Sequence, residues 1–215
     1  TVKSTLLWYT FTQTQNIPIN PFSPSLPQTQ HFHRRIDWAA SLTVGELHAA
    51  QIEELLSRLN KKLADQNLTG ELYLVGGAVM CLAFHARAST KDIDAIFQPV
   101  DIIREAANEI AQELHLDKNW LNDAVKGFLS TTGRYDPYLD LSHLKVFNAH
   151  PEYLFAMKCM AMRIGEEFHD LADVRYLLRY LGIASFQQAL SVIEKYYPMK
   201  HIPQKTIYAL EEMIE

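Results

Sequence analysis

Hydrophobic positions change rhythm several times along this chain, and each change marks an expected element. Residues 1–37 keep neither a helical nor a strand period. They are rich in Gln, Thr, Pro and Asn and hold Pro18, Pro21, Pro24 and Pro27. Such a stretch predicts an extended arm that wraps the body, or a partly disordered tail. From Thr43 to Gln66, Leu47, Ile52, Leu55, Leu56, Leu59 and Leu63 recur at three- and four-residue steps. That spacing predicts an amphipathic helix, with Thr43 and Glu46 as a capping box at its start. Leu72 to Val75 predicts a short strand, Gly76-Gly77 a turn, Ala78 to Arg87 a helix, and Asp92 to Phe97 a second strand. Pro99 and Asp101 introduce a helix running to about residue 114. Residues 115–137 are mixed, with WLNDAVKGFL read as a short helix, and Tyr138 to Phe147 alternates as one or two strands. Beyond Pro151 the pattern is helical throughout: EYLFAMKCMAMRIG, FHDLADVRYLLRYLG, SFQQALSVIEKYY and KTIYALEEMI. The order predicts an α+β fold with an α/β core: a small mixed sheet flanked by helices, and a helical C-terminal part. Three segments follow from it: an arm over 1–37, a core over 38–150 and a helical region over 151–215.

Composition narrows the class. A chain of 215 residues with 48% hydrophobic content can bury a real core in one domain with a small extension. A net charge of −5 argues against a broad basic surface for nucleic acid but leaves room for a local basic cleft. Cys81 and Cys159 sit in apolar, helix-like surroundings, which favours buried thiols in a reducing compartment over a disulfide framework. No run approaches the roughly 18 apolar residues of a membrane span. Leu6-Leu7-Trp8-Tyr9 is too short for a signal-peptide core. A cytoplasmic protein without membrane partners is therefore expected. The nine histidines show no metal-ligand spacing, and neither a nucleophile elbow nor a P-loop is present.

The chemistry concentrates in LYLVGGAVMCLAFHARASTKDIDAIFQP, residues 72–99. Asp92 and Asp94 stand two residues apart in a strand and so face the same side. Paired carboxylates repel when buried unless a cation holds them. Mg2+ (or Mn2+) suits them, because it takes one or two carboxylates plus substrate phosphates. A strand, then Gly-Gly, then a helix gathers backbone N–H groups where a phosphate can approach. An Asp-x-Asp alone is common in turns and caps; its place after strand, Gly-Gly and helix sets this one apart. In LFAMKCMAMRIGEEFHDLADVRYLL, Lys158 interrupts an apolar run, Arg163 follows, and Asp170 and Asp173 share one helix face. Taken alone, that set also fits a snorkelling lysine, a paired arginine and a capping aspartate.

Gly76-Gly77, fourteen residues, then Asp92-Ile93-Asp94 resembles the signature of the DNA-polymerase-β-like nucleotidyltransferase superfamily. Ser89-Thr90-Lys91 before the acids is similar too. The second set, Lys158, Arg163 and Asp170-x-x-Asp173, resembles the second motif of the toxin-type AbiEii nucleotidyltransferases. The resemblance implies that residues 38–150 form a nucleotidyltransferase core with metal on Asp92 and Asp94. Gly76, Gly77, Ser89, Thr90, Lys91, Lys158 and Arg163 would bind the nucleotide, with Asp170 and Asp173 in support. It implies a third acid on a later strand, for which Asp140 is the first candidate and Asp136 the second. The activity implied is transfer of a nucleoside monophosphate from an NTP to an acceptor hydroxyl on tRNA or protein. The setting implied is a toxin–antitoxin or phage-defence system with a cognate toxin or antitoxin partner. Two alternatives stay open: an antibiotic nucleotidyltransferase, and a catalytically silent binding or antitoxin module.

Overall fold

A computed structural model describes residues 45–163, 165 and 168–214. The arm over residues 1–37 and the Thr43 cap lie outside the described residues. The first elements are strand β1 (Leu47–His48) and helix α1 (Ala49–Asp65). The periodic leucines and Ile52 form the buried stripe of α1. The helix nevertheless starts at Ala49, later than its pattern suggests. Leu47 and His48 are held instead as a strand, antiparallel to β3 (Ser89–Thr90). Gln51 then closes the first turn by accepting from the His48 N–H at 2.8 Å. Glu46 accepts from the Ser89 hydroxyl at 2.7 Å.

Five strands form the main sheet: β2 (Gly70–Leu74), β4 (Ile93–Gln98), β5 (Leu121–Asn122), β6 (Tyr135–Asp140) and β7 (Leu144–Ala149), in the order β5-β4-β2-β7-β6. The central strand β2 runs antiparallel to β4, with Leu72 opposite Phe97, and parallel to β7, with Leu74 opposite Asn148. Period-two alternation gives the sheet two faces. Leu72, Leu74, Ala95, Phe97 and Val146 fill one, under α1 and α3 (Val100–Leu114). Gly70 lets these layers close: a Cβ there would come within 2.9 Å of Ile103. The other face carries Tyr73, which stacks on Phe147 at 4.9 Å and meets Tyr135 edge-on at 5.1 Å. Tyr135 in turn packs edge-on against Tyr153 of α4 (Pro151–Ala161). Asp94 alternates with Ala95 and therefore belongs to this second face.

Three more helices follow: α5 (Asp170–Tyr180), α6 (Phe186–Glu194) and α7 (Gln204–Ile214). Ser185 and Gln188 form a capping box at the start of α6. The buried Thr206 hydroxyl donates to the Cys159 carbonyl at 2.8 Å and ties α7 to α4. Both cysteines are buried free thiols. The mixed α and β architecture agrees with the sequence pattern. WLNDAVKGFL does not: Leu121–Asn122 joins the sheet beside β4, and only Ala124–Phe128 coils, as a 3-10 turn. Burial decides this, since Trp120 is inserted into the core with its indole N–H on the Ala107 carbonyl at 3.0 Å. No described helix is long and apolar enough to cross a membrane.

Candidate active site

The site lies where β2 ends and β4 begins. Gly76 and Gly77 do not precede a helix as a separate turn; they open α2 (Gly76–Leu82). Their size is what matters. Gly76 has φ +64°, and a Cβ there would fall 2.7 Å from Asp94 Oδ2. A Cβ on Gly77 would collide with Thr90 Oγ1 and reach within 3.0 Å of Arg87 Nη1. The glycine pair therefore lets the acid-bearing strand and the Ser89–Thr90 strand press directly on the backbone.

Asp92 and Asp94 are half-buried. Burial raises the Asp92 carboxyl, against the opposing pull of the Asn122 amide and of Arg163, Lys91 and Arg87. Burial and then the charge of Asp92 push Asp94 up to about 6, although Lys158, Asn122 and Arg163 act the other way. Among the described residues neither carboxylate forms an ion pair. The nearest polar partner is Asn122, whose amide donates to Asp92 Oδ2 at 3.1 Å.

The second motif arrives from α4 and α5. Lys158 Nζ stands 2.7 Å from Asp173 Oδ2 and 3.3 Å from Asp170 Oδ1. Asp170 Oδ2 also accepts from Arg163, from its backbone N–H at 3.1 Å and its Nε at 2.9 Å. Burial alone would raise Asp170, but the Arg163 hydrogen bonds and the Lys158 charge hold it below the usual carboxylate range. Arg87 Nη1 reaches Asp173 Oδ2 at 3.5 Å, and the Arg163 guanidinium lies 4.5 Å over the Phe168 ring. Asp170 and Asp173 thus orient a lysine and two arginines.

One cavity of about 390 Å³ gathers most of the predicted set. Asp92, Asp94, Lys158, Arg163 and Asp170 line it, as do Gly77, Ser89, Thr90 and Lys91. Asp173 pairs with Lys158, and Gly76 leaves free the space that its Cβ would take from Asp94. Asp140 is the exception and does not join them. It pairs with Lys145 on β7, whose own partner on β2 is Glu71. That row lies roughly 10 Å along the strands from the Leu74 end where the acids sit, and Asp140 is exposed there. The strand direction set by the β6–β7 hairpin reverses it away from the site. Asp136 pairs with Asn148 nearer the correct end, yet it is exposed and lines no part of this cavity.

Sequence reading missed Asn122 and Arg87. Asn122 reaches Asp92 only because β5 pairs with β4 across the intervening helix, and no local pattern encodes that. Arg87 was legible in principle as a cation five residues before Asp92. Among the described residues, no group of three or more His, Cys, Asp or Glu is placed to hold a metal ion. Two adjacent carboxylates that form no ion pair among the described residues fit Mg2+ or Mn2+, which complete their shell with phosphate oxygens and water. Comparison of the chain with family models, curated proteins and solved structures finds no match.

Proposed function

We propose that this chain is a metal-dependent nucleotidyltransferase of the polymerase-β-like kind, moving a nucleoside monophosphate from an NTP to an acceptor hydroxyl. One observation carries the reading. Two half-buried carboxylates, without an ion-pair partner among the described residues, share a cavity with Arg87, Lys91, Lys158 and Arg163. Such a site takes a polyanion together with a divalent cation. Asp92 and Asp94 would hold the metal, and Lys158, fixed by Asp170 and Asp173, would present a point charge to the triphosphate. When bound, the metal would neutralise charge on phosphate oxygens and polarise the phosphorus under attack. In the transfer, the acceptor oxygen forms a bond to the α-phosphorus as the bond to pyrophosphate breaks. The hydroxyl proton passes to water as that bond forms. Arg87, Lys91 and Lys158 oppose the charge that develops on the departing pyrophosphate. The resemblance to toxin–antitoxin and defence enzymes supports a macromolecular acceptor, tRNA or protein, and a cognate partner.

The test uses each α-labelled NTP with Mg2+ and a cell extract containing RNA and protein. Label should enter one acceptor class with the parent chain and fall at least about a hundredfold in Asp92→Asn/Asp94→Asn, as expected when transition-state charge stabilisation is removed. Equal incorporation by parent and variant would overturn the assignment of these acids.

A further inference from the structure

The polar cavity has a neighbour of opposite character. A second cavity, of about 660 Å³, opens on the same Asp94 and shares Lys158, Arg163 and Asp170 with the first. Its remaining walls are largely apolar: Val125, Phe128, Leu154, Met157, Met160 and Pro203. Phe128 belongs to the 3-10 turn after β5 and leaves 44% of its surface exposed, although a large aromatic ordinarily buries. Leu154 and Met157 come from α4, and among the described residues Lys205 at the start of α7 is the one charged group that this cavity does not share with the first.

We propose that this cavity seats the nucleoside of the NTP, with the base against Phe128 and the methionines. The proposal rests on the nucleotidyltransferase reading and deepens it. A nucleoside triphosphate is a lopsided ligand, with a polyanionic chain at one end and a flat heterocycle of low charge at the other. The α-phosphate joins the two. The molecule offers the matching pair of spaces: one lined by cations and carboxylates, one lined by apolar side chains, meeting at Asp94. Transfer at the α-phosphorus requires that junction to lie at the carboxylates, so the triphosphate tail takes the polar side and the nucleoside the apolar one. The size suits such a guest, since pockets for small ligands run about 300–1,000 Å³. Phe128 supplies a face on which any base can stack.

Calorimetric titration of the full chain with Mg2+ separates the two ideas. The probes are inorganic tripolyphosphate and the non-hydrolysable α,β-methylene analogues of the four common NTPs. The expected result is that the best analogue binds roughly tenfold or more tighter than tripolyphosphate, a gain of the size stacking provides. Phe128→Ala should erase most of that gain and leave tripolyphosphate binding unchanged. Met160→Ala should do the same in part. Both side chains lie outside the fully buried core, and thermal melts will confirm folding. Analogues binding no tighter than tripolyphosphate would overturn the nucleoside site and leave the polar site standing. A Phe128→Ala loss equal for both probes would also overturn it. Binding of neither probe would remove both the site and the nucleotidyltransferase reading.

Discussion

Asp94 pays for its position in stability. Its carboxyl is pushed up to about 6 by burial and by Asp92, from an ordinary 3.8. A folded-state value above the unfolded one means that the favoured neutral form is fully present below about pH 4. That stabilisation is lost as pH rises through about 6. The cost at pH 7 is on the order of 2–3 kcal/mol. In chelator, Asp94→Asn should therefore melt at a higher temperature than the parent at pH 7, with the gap closing toward pH 4. Equal melting at both pH values would mean the carboxylate carries no such penalty. Gly76 makes the converse case. Alanine there would combine a left-handed backbone, worth about 1–2 kcal/mol for an L-residue, with a methyl group 2.7 Å from Asp94 Oδ2. Gly76→Ala should lower urea stability by roughly 1–3 kcal/mol and, on the proposed function, also reduce nucleotidyl transfer. A variant with parental stability would contradict the observed backbone geometry.

Between elements, the α4–α5 clasp is the contact most open to dissection. Asp173 is 2% exposed and faces Lys158 and Arg87, so its loss takes the nearer carboxylate from Lys158, leaving Asp170 at 3.3 Å, and removes the carboxylate facing Arg87. Asp173→Ala should destabilise by less than the roughly 3–5 kcal/mol of a fully unpaired buried charge, because Asp170 still faces Lys158, and adding Lys158→Met should restore part of the loss. Urea melts of the two singles and the double measure this; strict additivity would show that the two groups act independently. This clasp was legible in the sequence, because Asp170 and Asp173 share a helix face by spacing and Lys158 interrupts an apolar one. The acids were legible for the same kind of reason, through the period-two rule around Ile93. Asp140 misled because an acid on an alternating strand looks alike at either end, and only hairpin direction distinguishes the ends. Asn122 was hidden because a two-residue strand has no period to read. The later start of α1 was hidden because Leu47 fits the helical stripe, while its pairing with Thr90 depends on residues far along the chain.

At the scale of the whole molecule, β2 is the axis of the structure. It is the central strand, bonded on one edge antiparallel to β4 and on the other parallel to β7, under the α1 and α3 layer. The amides of Leu72 and Leu74 should be among the slowest to exchange with deuterium, and those of the edge strand β6 should exchange faster. Faster exchange in β2 than in β6 would mean the sheet opens at its centre. The same topology orders events during synthesis. β2 and β4 can pair as soon as both have left the ribosome, but the other edge of β2 waits for residues 144–149. The lysine and aspartates of the second motif follow later still. The acids at the mouth of β4 are thus made early, and Lys158 of α4, which shares their cavity, follows only after β7. A nascent chain halted before α5 would hold the carboxylates without the Lys158–Asp173 pair, so the two sides of the cavity meet only after Asp173 has been made.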